Sequence, residues 1–164
     1  MKLFSGFLII GHNRACYNQH MINRHAALNL HYKCYGDGPD VLLVHGWASS
    51  GEMWSRLMRD MGHSARFWAV DLHGFGQSPR PSDNESLHIQ HHTDLLLDFC
   101  AHYHLRPKAI IGHSMGGMLA LKMAASKPDL TEKLVLMAPV ITGRFGHPIE
   151  FSWLFNNEIG VYTL

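Results

Sequence analysis

From about residue 28 onward, apolar runs alternate with amphipathic stretches. LNLHYKCYG, residues 28–36, alternates apolar and polar positions, as a half-buried strand does. GDGP follows with turn chemistry, and VLLVHG is an unbroken apolar run ending at Gly46, the pattern of a strand buried on both faces. Residues 51–61 carry Met53, Trp54, Leu57, Met58 and Met61 at helical spacing. RFWAVDL is a second buried strand ending at Asp71, and HGFGQSPRP reads as a loop. Residues 86–104 place Ile89, Leu95, Leu96, Phe99 and Tyr103 at helical spacing; KAIIG is a strand, 115–127 a helix and KLVLMAPV a last strand. Strands alternating with helices predict an α/β fold, a mostly parallel sheet with helices on both faces, because parallel strands need crossover connections.

In such sheets functional groups gather beyond the carboxyl ends of the strands. Three stretches fall there: HGWASS at 45–50, DLHGFGQS at 71–78 and GHSMGG at 112–117. Gly112-His113-Ser114-Met115-Gly116 fits G-x-S-x-G with a strand before it and a helix after it, the context that gives the motif its weight. A tight strand-to-helix turn lifts the serine above the sheet and crowds its neighbours, so glycine is required beside it. The N–H of Met115, in the first turn of the helix, has no intrahelical partner and points toward the same space.

With these motifs the chain resembles the α/β-hydrolase fold family, from about Asn29 to Val140. The resemblance is carried by His45-Gly46-Trp47, by Asp71 to Ser78 and by the elbow Gly112 to Gly117, three motifs in order, each after a strand. It implies that Ser114 is the nucleophile and that the backbone N–H groups of Trp47 and Met115 form an oxyanion hole. Gly112, Gly116 and Gly117 are then the elbow glycines. The implied activity is that of a serine hydrolase acting on small-molecule, ester-like substrates of the carboxylesterase type, without cofactor or metal. Serine at the elbow argues against the haloalkane dehalogenase and epoxide hydrolase branches, which place aspartate there. C–C bond hydrolases and haloperoxidase-like members share HGW and a serine elbow and remain alternatives. By the same resemblance His45 supports the oxyanion loop and Asp71 is structural, while His113 diverges from Ser114.

Composition narrows the partners. The net charge of +1 removes any electrostatic case for nucleic acid, and no apolar run is long enough to span a bilayer. Of the fourteen histidines, His88, His91 and His92 are the closest group; with no carboxylate or cysteine in register they read as surface histidines rather than a metal site. Cys16, Cys34 and Cys100 are odd in number and far apart, which points to a reducing, cytoplasmic compartment, with Cys100 a packing residue. The opening MKLFSGFLII leaves export or organellar targeting as the alternative, and Met21 is a candidate start. The expected organisation is an extension at 1–27, a partial hydrolase core at 28–142 and the start of a cap at 143–164.

A serine nucleophile needs a base, oriented in turn by an acid, and in this fold both follow the serine in the chain. The one strand after the elbow ends in MAPV without an acid; His147, Glu150 and Glu158 lie without strand-end context. The chain thus reads as the front part of a hydrolase. A second reading is an inactive fragment that acts, if at all, by binding a partner. The apolar strand at 133–140, left at an edge, would invite self-association.

Overall fold

The computed structural model describes residues 29–80 and 88–140. The expected extension at 1–27 and cap start at 143–164, with His147, Glu150 and Glu158, lie outside the described residues.

Among the described residues five strands make one sheet: β1 Tyr32–Tyr35, β2 Asp40–Val44, β3 Arg66–Val70, β4 Ala109–His113 and β5 Lys133–Met137, in the order β1-β3-β2-β4-β5. β1 runs antiparallel to β3, and the remaining pairings are parallel. The described α-helices between them are α1 Ser55–Met61, α2 Ile89–His102 and α3 Met115–Ser126. The expected α/β sheet is therefore present, with shorter strands than the apolar runs suggested. VLLVHG ceases to be strand at Val44, and KLVLMAPV at Met137.

Alternation along the strands divides the core into two layers. Leu42, Val44, Trp68, Val70 and Ile110 face α2 and α3, which contribute Leu96, Phe99, Leu119 and Met123. Val41, Leu43, Phe67 and Ala69 face the other way, onto Trp54 and Met58. Both faces of β2 are thus covered, which is why its sequence is apolar without interruption. Burial of this kind contributes roughly 25 cal/mol per Å² of apolar surface.

Two differences from the periodicity reading have local causes. Residues 51–61 are not one helix: a 3-10 turn, Gly51–Trp54, starts at Ser50, whose hydroxyl accepts the Glu52 N–H, and α1 follows. The change of pitch rotates Met53 and Met61 into solvent and leaves Trp54 and Met58 to make the contact with the sheet. The second difference is His92, expected at the surface and in fact 1% exposed. Position 92 shares the inward stripe of α2 with Ile89, Leu96 and Phe99, so its burial follows from helical spacing.

At the amino edge, the Arg66 guanidinium donates to Asp40 through Nε (2.5 Å) and Nη2 (2.8 Å), and the Trp68 indole adds a third bond at 2.7 Å. Burial pushes the Asp40 pKa up, but those hydrogen bonds and the Arg66 charge outweigh it and leave the carboxyl below its usual range. This clamp fixes the register of β2 on β3. At one edge of the sheet, β5 leaves Val135 44% and Met137 45% exposed.

Candidate active site

The elbow lies where β4 turns into α3. Ser114 precedes the first residue of α3 with φ 53° and ψ −118°. A left-handed φ on a non-glycine residue costs about 1–3 kcal/mol and persists only where its surroundings impose it. Here they do. A Cβ on Gly116 would overlap the carbonyl oxygens of Val44 and His45, and one on Gly112 would overlap the Gly116 carbonyl. The first turn of α3 is thus pressed against the end of β2 with no room for a side chain. From the other side, Ser114 N–H donates to Met137 O (2.9 Å), and Ser114 O accepts from Gly117 N–H (3.0 Å) and Val140 N–H (3.1 Å). The turn after β5 therefore grips the elbow. The sequence reading did not assign that role to residues 137–140; β5 pairing in parallel with β4 brings its end to the same edge.

The loop after β2 passes beside the serine. A Cβ on Gly46 would stand 3.0 Å from Ser114 Cβ and 3.2 Å from His113 O, so a bare backbone is what allows this approach. Trp47 follows, 42% exposed, its ring 5.1 Å from that of Phe75 in an edge-to-face contact. Ala48 continues the loop at φ 53°.

His45 is fully buried and sets this loop. Its Nε2 lies 2.9 Å from the Leu72 N–H, which can only donate, so Nε2 accepts. Nδ1 then carries the proton and donates to Gly46 O at 2.7 Å. Burial lowers the His45 pKa, against the Gly46 hydrogen bond and the Asp71 charge, and the neutral ring is the form both bonds require. With both nitrogens committed, His45 is unsuited to be a general base.

Asp71 organises the loop after β3. Its carboxylate accepts from Gly51 N–H (2.6 Å) and Gln77 N–H (2.9 Å) and meets His31 Nδ1 at 2.8 Å. Ser78 Oγ donates to Asp71 O (2.6 Å) and accepts from His31 N–H (2.9 Å). The carboxylate thus ties together the two loops beside Ser114.

The motif residues accordingly converge: Gly46 and Trp47, Asp71 to Ser78, and Gly112 to Gly117 meet at the carboxyl edge. His113 lies there too, its Nδ1 buried against Gly46. The described histidines do not converge as a set of three or more metal ligands with cysteine, aspartate or glutamate. Phe75, in van der Waals reach of the rings of Trp47, His45 and His92, was missed; its only sequence signal is an aromatic between two loop glycines.

Comparison with known proteins bears on the fold. The sequence model of the alpha/beta hydrolase fold matches residues 39–159. The pimeloyl-[acyl-carrier protein] methyl ester esterase of Vibrio campbellii is 32% identical over 111 residues, which are 67% of this chain and 41% of the esterase. The probable lysophospholipase BODYGUARD 3 of Arabidopsis thaliana is 37% identical over 106 residues, 61% of this chain and 21% of that protein. Among solved structures, the epoxide hydrolase CorEH superposes with a TM-score of 0.64 at 26% identity, covering 73% of this chain and 43% of that one. The chain thus spans well under half the length of these relatives.

Proposed function

The chain belongs to the α/β hydrolase fold family, and from that premise we propose that it carries the nucleophile half of a serine hydrolase for ester-like small molecules. The observation that carries the reading is the backbone of Ser114, strained at φ 53° between a strand and a helix and held there by glycine packing on one side and the Met137–Val140 turn on the other. Strain retained at such a cost calls for a use, and presenting a hydroxyl at a helix N-terminus is the use this geometry serves.

In the proposed reaction Ser114 Oγ adds to the substrate carbonyl. The oxyanion is stabilised by the N–H groups of Met115, at the positive end of α3, and of Trp47. Collapse expels the alcohol and leaves an acyl-Ser114, which water then hydrolyses. A general base and its orienting acid complete this chemistry. Ester hydrolysis is the activity for which the Vibrio esterase is named. The serine at the elbow is the feature that sets the chain apart from the aspartate branches of the fold. For the exposed β5 edge we assign strand pairing, so self-association through Val135 and Met137 is expected and should be weakened by Val135→Lys in sedimentation.

The test is covalent labelling of Ser114 by a fluorophosphonate, read by mass spectrometry, alongside hydrolysis of a short p-nitrophenyl ester. An oxyanion hole and binding alone leave roughly 10³–10⁴-fold over water in a serine protease stripped of its triad, serine included, so the deciding outcome is labelling at Ser114 that is lost in Ser114→Ala. Equal labelling in the alanine variant would reduce the elbow to a strand–helix turn.

A further inference from the structure

We propose that Ala138, Pro139 and Val140 form a positioning clip, which fixes the two peptide planes on either side of Ser114 and with them the direction of the Met115 N–H. That these planes serve a nucleophile and an oxyanion rests on the functional reading above; the clip itself does not.

Both planes are held from across the β4–β5 pair. In the plane between residues 113 and 114, the Ser114 N–H donates to Met137 O at 2.9 Å. In the plane between residues 114 and 115, Ser114 O accepts from Val140 N–H at 3.1 Å, beside the bond from Gly117 N–H at 3.0 Å that α3 itself supplies. This second plane also carries the Met115 N–H. Its peptide bond is trans, so the carbonyl and the N–H point in opposite directions, and fixing one fixes the other. Donors on the carbonyl also polarise the peptide, which strengthens the N–H at its other end. Val140 therefore acts on the Met115 N–H through the carbonyl of Ser114.

Closing the clip strains the chain. Ala138 lies at φ 43°, a left-handed conformation that alanine adopts only where its surroundings impose it. It also precedes Pro139, and the proline ring drives the residue before it toward an extended φ of about −120°. Two local preferences thus point away from the observed turn. Ala138 is exposed, so the packing of its own methyl does not account for the conformation.

What imposes it lies on either side. Met137 O is held by the Ser114 N–H, and Val140 N–H by Ser114 O. Between them Pro139 sits on the bare face of Gly117, where an added Cβ would come within 2.8 Å of Pro139 Cβ. The proline ring fixes φ at position 139 near about −65°, which restricts the direction of the Val140 N–H. The two left-handed residues, Ser114 and Ala138, thus keep each other in place.

The experiment reads Ser114 in four variants at position 138, by amide hydrogen exchange resolved with NMR and by the rate of fluorophosphonate labelling. Ala138→Val and Ala138→Pro do not tolerate a left-handed φ; Ala138→Gly and Ala138→Asn do. In the valine and proline variants, protection of the Ser114 and Val140 amides should fall on the order of tenfold while the amides of β2 hold, as local opening requires. The glycine and asparagine variants should keep the parent's protection. Labelling should divide the same way, on the order of tenfold slower with valine and proline and restored with glycine and asparagine, the loss lying in the bond-forming rate constant. A freely exchanging Ser114 amide in the parent, equal protection in all four variants, or a fall of β2 in step with Ser114 in both the valine and the proline variant would overturn the clip. An opened clip with undiminished labelling would overturn its link to the nucleophile. In a parent that takes no label at Ser114 the functional reading fails, and amide exchange still decides the clip.

Discussion

Gly116→Ala sets two physical rules against each other. Gly116 sits in the first turn of α3 and is fully packed. By helix propensity alone, alanine should be better than glycine by up to about 1 kcal/mol. The tertiary structure says the opposite. The added methyl would lie 2.5 Å from His45 O and 2.7 Å from Val44 C, and closer still to Val44 O. Comfortable carbon-to-oxygen contacts are about 3.3–3.6 Å, so the atoms must part by roughly 1 Å. Every clashing atom is backbone, and one strand end belongs to the centre of the sheet, so no rotamer change relieves it. Overpacking typically costs about 1–3 kcal/mol, and a backbone clash belongs at the upper end. Taking about 3 for the clash and returning at most 1 for propensity leaves a net loss of about 2 kcal/mol, or a drop of about 4–8 °C in Tm for a domain of this size. Gly116→Val adds two more methyls and should cost more. Thermal melts followed by near-ultraviolet circular dichroism, paired with urea titrations, measure this. A Gly116→Ala variant as stable as the parent, or more so, would refute the close-packed elbow.

Three further outcomes follow from buried groups. The folded state binds fewer protons at His92 than the unfolded state between the ordinary imidazole value of 6.5 and about 4; that contribution is therefore complete above pH 6.5 and lost as pH falls toward 4, amounting to about 3 kcal/mol. His92→Leu should make urea-derived stability less steep in acid while leaving it within about 1 kcal/mol of the parent at neutral pH, since the ring nitrogens have no partners to lose; an unchanged acid slope would count against it. Asp71→Ala strands the buried Gly51 N–H and the loop donor of Gln77, and should cost about 2–5 kcal/mol by urea titration; a loss below about 1 would show that the two loops hold each other without it. Burial pushes the Cys100 thiol up to about 12, so iodoacetamide at mildly alkaline pH should label it only after denaturation, and rapid native labelling would contradict its packing on the buried face of α2.

Local chemistry determined a good deal by itself. The alternation of Tyr32 and Cys34, the unbroken VLLV and RFWAV runs and the stripe of α2 specify their elements because side-chain period and backbone geometry are the same fact. The glycines around Ser114 announced a crowded turn because no other residue fits one. What the sequence left open needed neighbours distant in the chain. Helical spacing turns His92 inward, but nothing local shows that its ring nitrogens go without partners, that His45 has both nitrogens bound, or that His91 meets His73. The Met137–Val140 turn grips Ser114 only because β5 pairs in parallel beside β4, and Phe75 matters only because two loops of different strands bring it under Trp47. Periodicity encodes which face of an element is buried; which group meets which across the sheet edge is set by strand order and loop packing, and those are decided when the whole sheet assembles.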